Sequence, residues 1–145
     1  MGISADEFLR LDGAIELFCE LRPGGSRFSD LDDELSISHT TLTARLGEAQ
    51  ELDLIERKLV ERDGDSVPVY APTNTGARFM LELRRQSVRE TYLLLKETRN
   101  RFEQRSDDVR EWVRENPLEF SLSEDEAIKE LYRYHTVGPG SEDDL

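Results

Sequence analysis

Cysteine is almost missing from this sequence. Cys19 stands alone, which rules out an internal disulfide, and one cysteine with two histidines makes a poor ligand set for structural zinc. Long apolar runs are missing as well: no stretch approaches the roughly 18 consecutive apolar residues of a membrane span. The N-terminal MGISADEFLR is acidic and lacks the basic, apolar and small-residue order of a secretory leader. There is no phosphate-binding Gly-Lys loop, no dinucleotide fingerprint, no nucleophile elbow and no HExxH pair. Lysine is scarce too, with only Lys58, Lys96 and Lys129 against sixteen arginines. These absences predict a soluble cytoplasmic protein that is not an enzyme and uses no cofactor or metal.

What is present is acid. The 145 residues carry 32 Asp and Glu against 19 Lys and Arg, a net charge of −13, with 35% charged and 37% hydrophobic residues. That length suits one domain with an appendage, able to bury roughly two-thirds of its unfolded surface. The acid excess with few lysines fits a chain adapted to molar salt, where the Debye length is about 3 Å and self-repulsion is screened. An ordinary acidic protein is the alternative. The charge divides the chain in three: residues 1–76 hold 7 basic and 16 acidic groups, residues 77–116 hold 10 and 8, and residues 117–145 hold 2 and 8. The terminal GPGSEDDL reads as a disordered acidic tail.

Ser4-Ala-Asp-Glu7 is a capping-box pattern that opens a first helix, with Phe8, Leu11, Ile15 and Phe18 at helical spacing until Pro23-Gly24-Gly25. A short helix carries Phe28, Leu31 and Leu35. Ser38 is placed to cap a longer one whose Leu42, Leu46 and Ala49 form an inward stripe. After Asp53 the rhythm changes to period two. Residues 54–61 read as a strand, Arg62-Asp63-Gly64-Asp65 as a turn, and Val67-Pro68-Val69-Tyr70 as a returning edge strand. Helix, helix, turn, helix, hairpin is the order of a winged helix-turn-helix. The expected fold class is mainly α: a three-helix core plus a two-stranded β wing over residues 1–76, followed by a long C-terminal helix.

That long helix is expected over residues 77–116, because Leu81, Val88, Leu95, Phe102 and Val109 recur every seven residues with Tyr92 beside the stripe. These six are the candidate dimerisation residues. The companion seam positions are mostly polar (Arg84, Thr91, Thr98, Arg105), so the stripe needs another packed element, and a break near Ser106 is an alternative. Residues 117–145 are expected to hold a short helix capped at Ser123 and the acidic tail.

The capped helix over 38–50 is the candidate DNA reader. With Leu42, Leu46 and Ala49 inward, the outward or forward positions include Ser38, His39, Thr40, Thr41, Thr43, Ala44 and Arg45, mostly small or hydroxylic. Small residues allow close approach to base edges in the major groove, threonine hydroxyls bond bases or phosphates, and Arg45 has the reach for a phosphate or guanine. No carboxylate occurs in positions 37–47 of this acid-rich chain. On the wing, Arg57, Lys58 and Arg62 are candidate phosphate contacts, although Glu56, Glu61, Asp63 and Asp65 beside them fit a solvated hairpin equally. Cys19 reads either as a small buried hydrophobe or as a redox-sensing thiol, and the second needs exposure and a depressed pKa. Asp30, Asp32, Asp33 and Glu34 read as a solvated helix face.

The ordered segments Arg27-Phe28-Ser29-Asp30-Leu31, Ile37-Ser38, Leu42-Thr43-Ala44-Arg45-Leu46, Leu54-Ile55-Glu56-Arg57 and Val69-Tyr70-Ala71-Pro72-Thr73-Asn74-Thr75-Gly76 resemble the HxlR-like branch of winged-helix transcriptional regulators, relatives of the MarR and PadR groups. The resemblance implies a cytoplasmic homodimer binding double-stranded DNA at a pseudo-palindromic operator, with the 38–50 helix reading bases and the 54–73 hairpin as wing. Archaeal members are common, in keeping with a halophilic source. The sequence departs from the pattern in Ala71-Pro72, in its acidic wing tip and in its longer C-terminal helix. Repression by promoter occlusion is the expected activity. The rival reading is a winged-helix module that docks protein and binds no DNA. The residues show no constellation for a small-molecule effector.

Overall fold

The computed structural model describes residues 2–116 and 124–135. They fall in two units, divided between Arg99 and Asn100. The first unit holds five helices, a β hairpin and the start of a sixth helix. The expected fold class is the observed one: mainly helical, with a two-stranded antiparallel sheet after the helices and a long C-terminal helix.

The N-terminal helix expected to run unbroken to Leu21 is two helices, α1 (Ala5–Leu9) and α2 (Ala14–Glu20). Ser4 caps α1 as its pattern predicts, its hydroxyl accepting the Glu7 amide at 3.1 Å. The break is a tertiary effect. Gly13 takes φ +81°, and a Cβ there would meet the Ile37 side chain at 2.8 Å. Helix α3 (Phe28–Glu34) and helix α4 (His39–Glu51) follow, the latter capped by Ser38, whose Oγ accepts from the Thr41 amide at 3.0 Å.

Strands β1 (Ile55–Arg62) and β2 (Asp65–Pro72) pair with Arg62 opposite Asp65 and Ile55 opposite Pro72. Asp63 and Gly64 alone form the turn, at φ 52° and 85°, the left-handed pair that suits the twist of a two-residue hairpin. Counting outward from the hydrogen-bonded 62–65 pair, Pro68 opposite Leu59 falls at a non-bonded position, so its missing N–H points away from the ladder. Tyr70, two residues on, uses that same outer edge to exchange two 2.8 Å bonds with Ser26.

The core lies between α1, α2, α4 and α5 (Asn74–Arg85), with Phe8, Leu17, Phe18, Leu42 and Leu46 all but fully buried. Phe18 stands edge-on to Phe8 at 6.2 Å and to Phe79 at 5.1 Å, which ties the N-terminal helices to α5. Burial of each such side chain contributes about 1.5–3 kcal/mol. The hairpin is joined to α5 by Thr73, whose Oγ1 accepts from the Gly76 amide and donates to the Asp53 carbonyl. Gly76 is required by close approach: a Cβ there would sit 1.9 Å from the Leu54 carbonyl oxygen.

The helical stretch after the wing is not continuous. Helix α5 ends at Arg85, Ser87 takes φ 61°, and α6 runs from Val88 to Glu115, straight through Ser106, where a break was the alternative. The turn lets the start of α6 pack on the core. Val88 and Tyr92 pack on it, Arg89 donates to the Cys19 carbonyl at 3.2 Å, and the Tyr92 hydroxyl donates to Glu20 at 2.8 Å. Lys96 pairs with both Glu20 and Glu34. Burial works against its charge, but the two carboxylates outweigh that and raise its pKa.

In the second unit, α6 continues to Glu115 with Phe102, Val109 and Trp112 exposed. Helix α7 (Glu124–His135) exposes Ile128, Leu131, Tyr132 and Tyr134. The proposed Ser123 cap and the acidic tail lie outside the described residues. No described helix is long and apolar enough to cross a membrane.

Candidate nucleic-acid interface

Leu42, Leu46 and Ala49 turn one side of α4 into the core, as their spacing requires. The opposite side carries His39, Thr40, Thr43 and Ala44, all exposed, with Thr41 and Gly47 half-buried. Several of the hydroxyls are already used within the helix. Ser38 is the cap and also donates to Thr41 Oγ1 at 2.9 Å, and Thr43 donates to the His39 carbonyl at 3.0 Å. Thr43 therefore turns a methyl group outward more readily than a free donor. His39 stands edge-on to Phe28 at 4.7 Å, with its Nδ1 3.7 Å from the Asp32 carboxylate.

Beside this face runs a groove of about 370 Å³ whose walls are His39, Thr43, Gly47 and Gln50 of α4, Phe28 of α3 and Tyr70 of β2. Phe28 and Tyr70 also floor a second groove of about 250 Å³, whose rim carries Arg27 and Arg57. The two grooves share that aromatic floor. They make one surface with small uncharged side chains on one bank and two guanidinium groups on the other.

The cations divide by what they already hold. Among the described residues, Arg27, Arg57, Lys58 and Arg62 make no ion pair, and all four are exposed. Strand alternation puts Arg57 on the hairpin face of Tyr70, beside the groove, and carries Lys58 and Arg62 onto the other face. Arg45 is different. It does not project outward as expected: its side chain is 14% exposed, its Nε donates to the Asp12 carbonyl at 2.8 Å, and its Nη1 pairs with Glu48.

Arg27, Ser29, Gln50 and Tyr70 belong to this surface and were not among the candidates. Arg27 occupies the N-cap position of α3, and its side chain makes no capping bond. The others come together only through the Tyr70–Ser26 bridge, which no local pattern announces.

The candidate dimerisation residues separate as well. Leu81, Leu95, Phe102 and Val109 are each at least 60% exposed, whereas Val88 and Tyr92 pack on the core of their own chain. Cys19 is buried. Burial first, then Glu16 and to a smaller extent Glu20, push its thiol up to about 11, against an opposing pull from Arg89. A thiol so held is a small core hydrophobe with almost no thiolate at neutral pH. Of the acidic run in α3, Asp32 turns to His39 and Glu34 to Lys96, whose hydrogen bond holds the Glu34 carboxyl below its ordinary value.

The HxlR-like helix-turn-helix family matches residues 14–85. Two solved structures share the fold. One is the reduced form of the transcriptional regulator YodB from B. subtilis, at 20% identity and TM-score 0.50 over 58% of this chain and 82% of that one. The other is a possible HxlR family transcriptional factor from Thermoplasma volcanium GSS1, at 19% identity and TM-score 0.50 over 63% of this chain and 82% of that one. No curated protein matches the sequence significantly.

Proposed function

We propose that this chain, whose residues 14–85 match the HxlR-like helix-turn-helix family, is a sequence-specific, DNA-binding transcriptional regulator that sets α4 in the major groove. The observation that carries the reading is the outer face of α4. His39, Thr40, Thr43 and Ala44 are exposed, no carboxylate interrupts positions 37–47, and the adjoining groove is rimmed by two unpaired arginines. Thr40 and Ala44 approach base edges. Arg27 and Arg57 take phosphates on the near side, and Lys58 and Arg62 take them from the far face of the wing.

The protein acts as a homodimer, joined through the exposed row of Leu95, Phe102 and Val109 on α6, with Leu81 of α5 a further contact. It binds a pseudo-palindrome with half-sites about 34 Å apart and represses by occluding a cytoplasmic promoter. The net charge of −13 opposes binding at low salt, because the phosphates and the carboxylates repel. At molar salt that repulsion is screened beyond about 3 Å, and fit and short-range hydrogen bonds decide.

The test is capture of random duplex DNA by the purified chain in about 0.1 M and about 2–3 M KCl, followed by sequencing. A palindromic motif enriched at the higher salt supports the proposal. No enrichment at either salt, from folded protein, overturns it and favours a module that docks protein through α6.

A further inference from the structure

We infer that Arg45, although it lies in the DNA-reading helix, is a positioning residue that braces α4 against the turn between α1 and α2. This rests on the DNA-binding reading above for its consequence, though not for its geometry. Arg45 lies three residues after Leu42 and four before Ala49, so it leaves the helix on the flank of the buried stripe rather than on the outer face. Its guanidinium is already engaged at two points, by the Asp12 carbonyl at 2.8 Å and by the Glu48 carboxylate. To reach DNA it would have to give up charge-assisted bonds.

The turn it grips is held from a second side. Gly13, next to Asp12, lies against Ile37, the residue just before the Ser38 cap. One turn of chain therefore touches both the entry to α4 and its middle, and the half of the helix between those points carries Thr40, Thr43 and Ala44. Loosening the brace lets that half tilt. Small side chains at a groove tolerate little tilt, because they have no length with which to follow the bases. Arg45 thus acts on sequence discrimination through the placement of its neighbours, and it couples the N-terminal helices to the reading face.

The experiment compares wild type with Arg45→Gln, Arg45→Lys and Glu48→Gln. The readouts are affinity for the selected duplex and for random duplex across a salt series, and hydrogen exchange at the amides of Arg10, Leu11 and Ala14, which are hydrogen-bonded within the turn. A brace predicts that all three variants lower the ratio of specific to random affinity, by about tenfold for the arginine changes. Lysine does not rescue, because its ammonium lacks the fork that spans both partners. The salt dependence keeps its slope, and the turn amides exchange faster.

A phosphate contact predicts the reverse pattern. Arg45→Gln then lowers the salt slope by about 0.9, Arg45→Lys keeps most of the affinity, and Glu48→Gln tightens binding by freeing the arginine and removing a carboxylate. That pattern overturns the inference. Should wild type bind no duplex at all, the DNA reading fails separately. Exchange then decides the brace: faster at the turn in Arg45→Gln sustains it, and unchanged exchange contradicts it.

Discussion

Helices α4 and α6 handle their apolar residues in opposite ways. Helix α4 hides every large one, Leu42 and Leu46, and shows threonine, alanine and glycine. Helix α6 buries no residue fully and shows Leu94, Leu95, Phe102, Val109 and Trp112 among charges of both signs. A small, uncharged, exposed face suits a polar partner approached closely. Large exposed apolar residues at a seven-residue interval suit another protein surface, since water is a poor neighbour for them. On the proposed reading, one chain carries two surfaces for two kinds of partner.

The widest contrast is in stability. Leu42→Ala should cost about 2–5 kcal/mol in urea denaturation, because it empties a fully buried site. Leu95→Ala should cost less than about 0.5 kcal/mol in dilute protein, and more as concentration rises if the exposed row joins two chains. Equal losses at the two positions would erase the distinction.

The next largest effect concerns binding. Ala44→Glu should weaken the selected duplex on the order of 100-fold while leaving stability within about 0.5 kcal/mol, since the position is exposed. Phe102→Glu should instead shift sedimentation toward monomer. If the two variants exchanged phenotypes, the assignment of partners to helices would be reversed.

A smaller change tests the start of α4 alone. Ser38→Ala removes the acceptor for the Thr41 amide and should cost about 1 kcal/mol, read from the thermal midpoint.

An effect confined to alkaline pH lies at the seam where the start of α6 packs on the core. Burial raises the Cys19 thiol to about 11 from 9.0, and burial with the Glu20 contact raises the Tyr92 hydroxyl from 10.0. Both groups are neutral when protonated and both lose their protons more readily in the unfolded chain. Above about pH 9 the folded state binds more protons, so stability present below that pH is lost as pH rises through 9 to 11. Urea midpoints should fall between about pH 8 and about pH 10.5, and Cys19→Ala should remove part of the fall.

What was readable in the sequence was local. The Ser38 cap, the 42–46–49 stripe and the Asp63-Gly64 turn each depend on residues within a few positions, and the structure has all three. What was not readable depends on distant partners. Gly13 splits the first helix because Ile37 packs on it, and Ser87 interrupts the heptad row so that Val88 and Tyr92 reach the core. Arg45 looks outward by its place in a polar stretch, yet Asp12, 33 residues away, draws it in. Arg27 and Arg57 meet on one groove because Ser26 pairs with Tyr70. Helical phase tells which face a residue occupies, but not which carbonyl or ring waits there.

The claim that α4 reads the major groove is tested most directly by dimethyl sulfate protection on the selected duplex. The reagent methylates guanine N7 in the major groove and adenine N3 in the minor groove. The account predicts two patches of protected guanine N7 about one helical turn apart, both lost with Ala44→Glu. Protection confined to adenine N3, or guanine protection that survives Ala44→Glu, would contradict it.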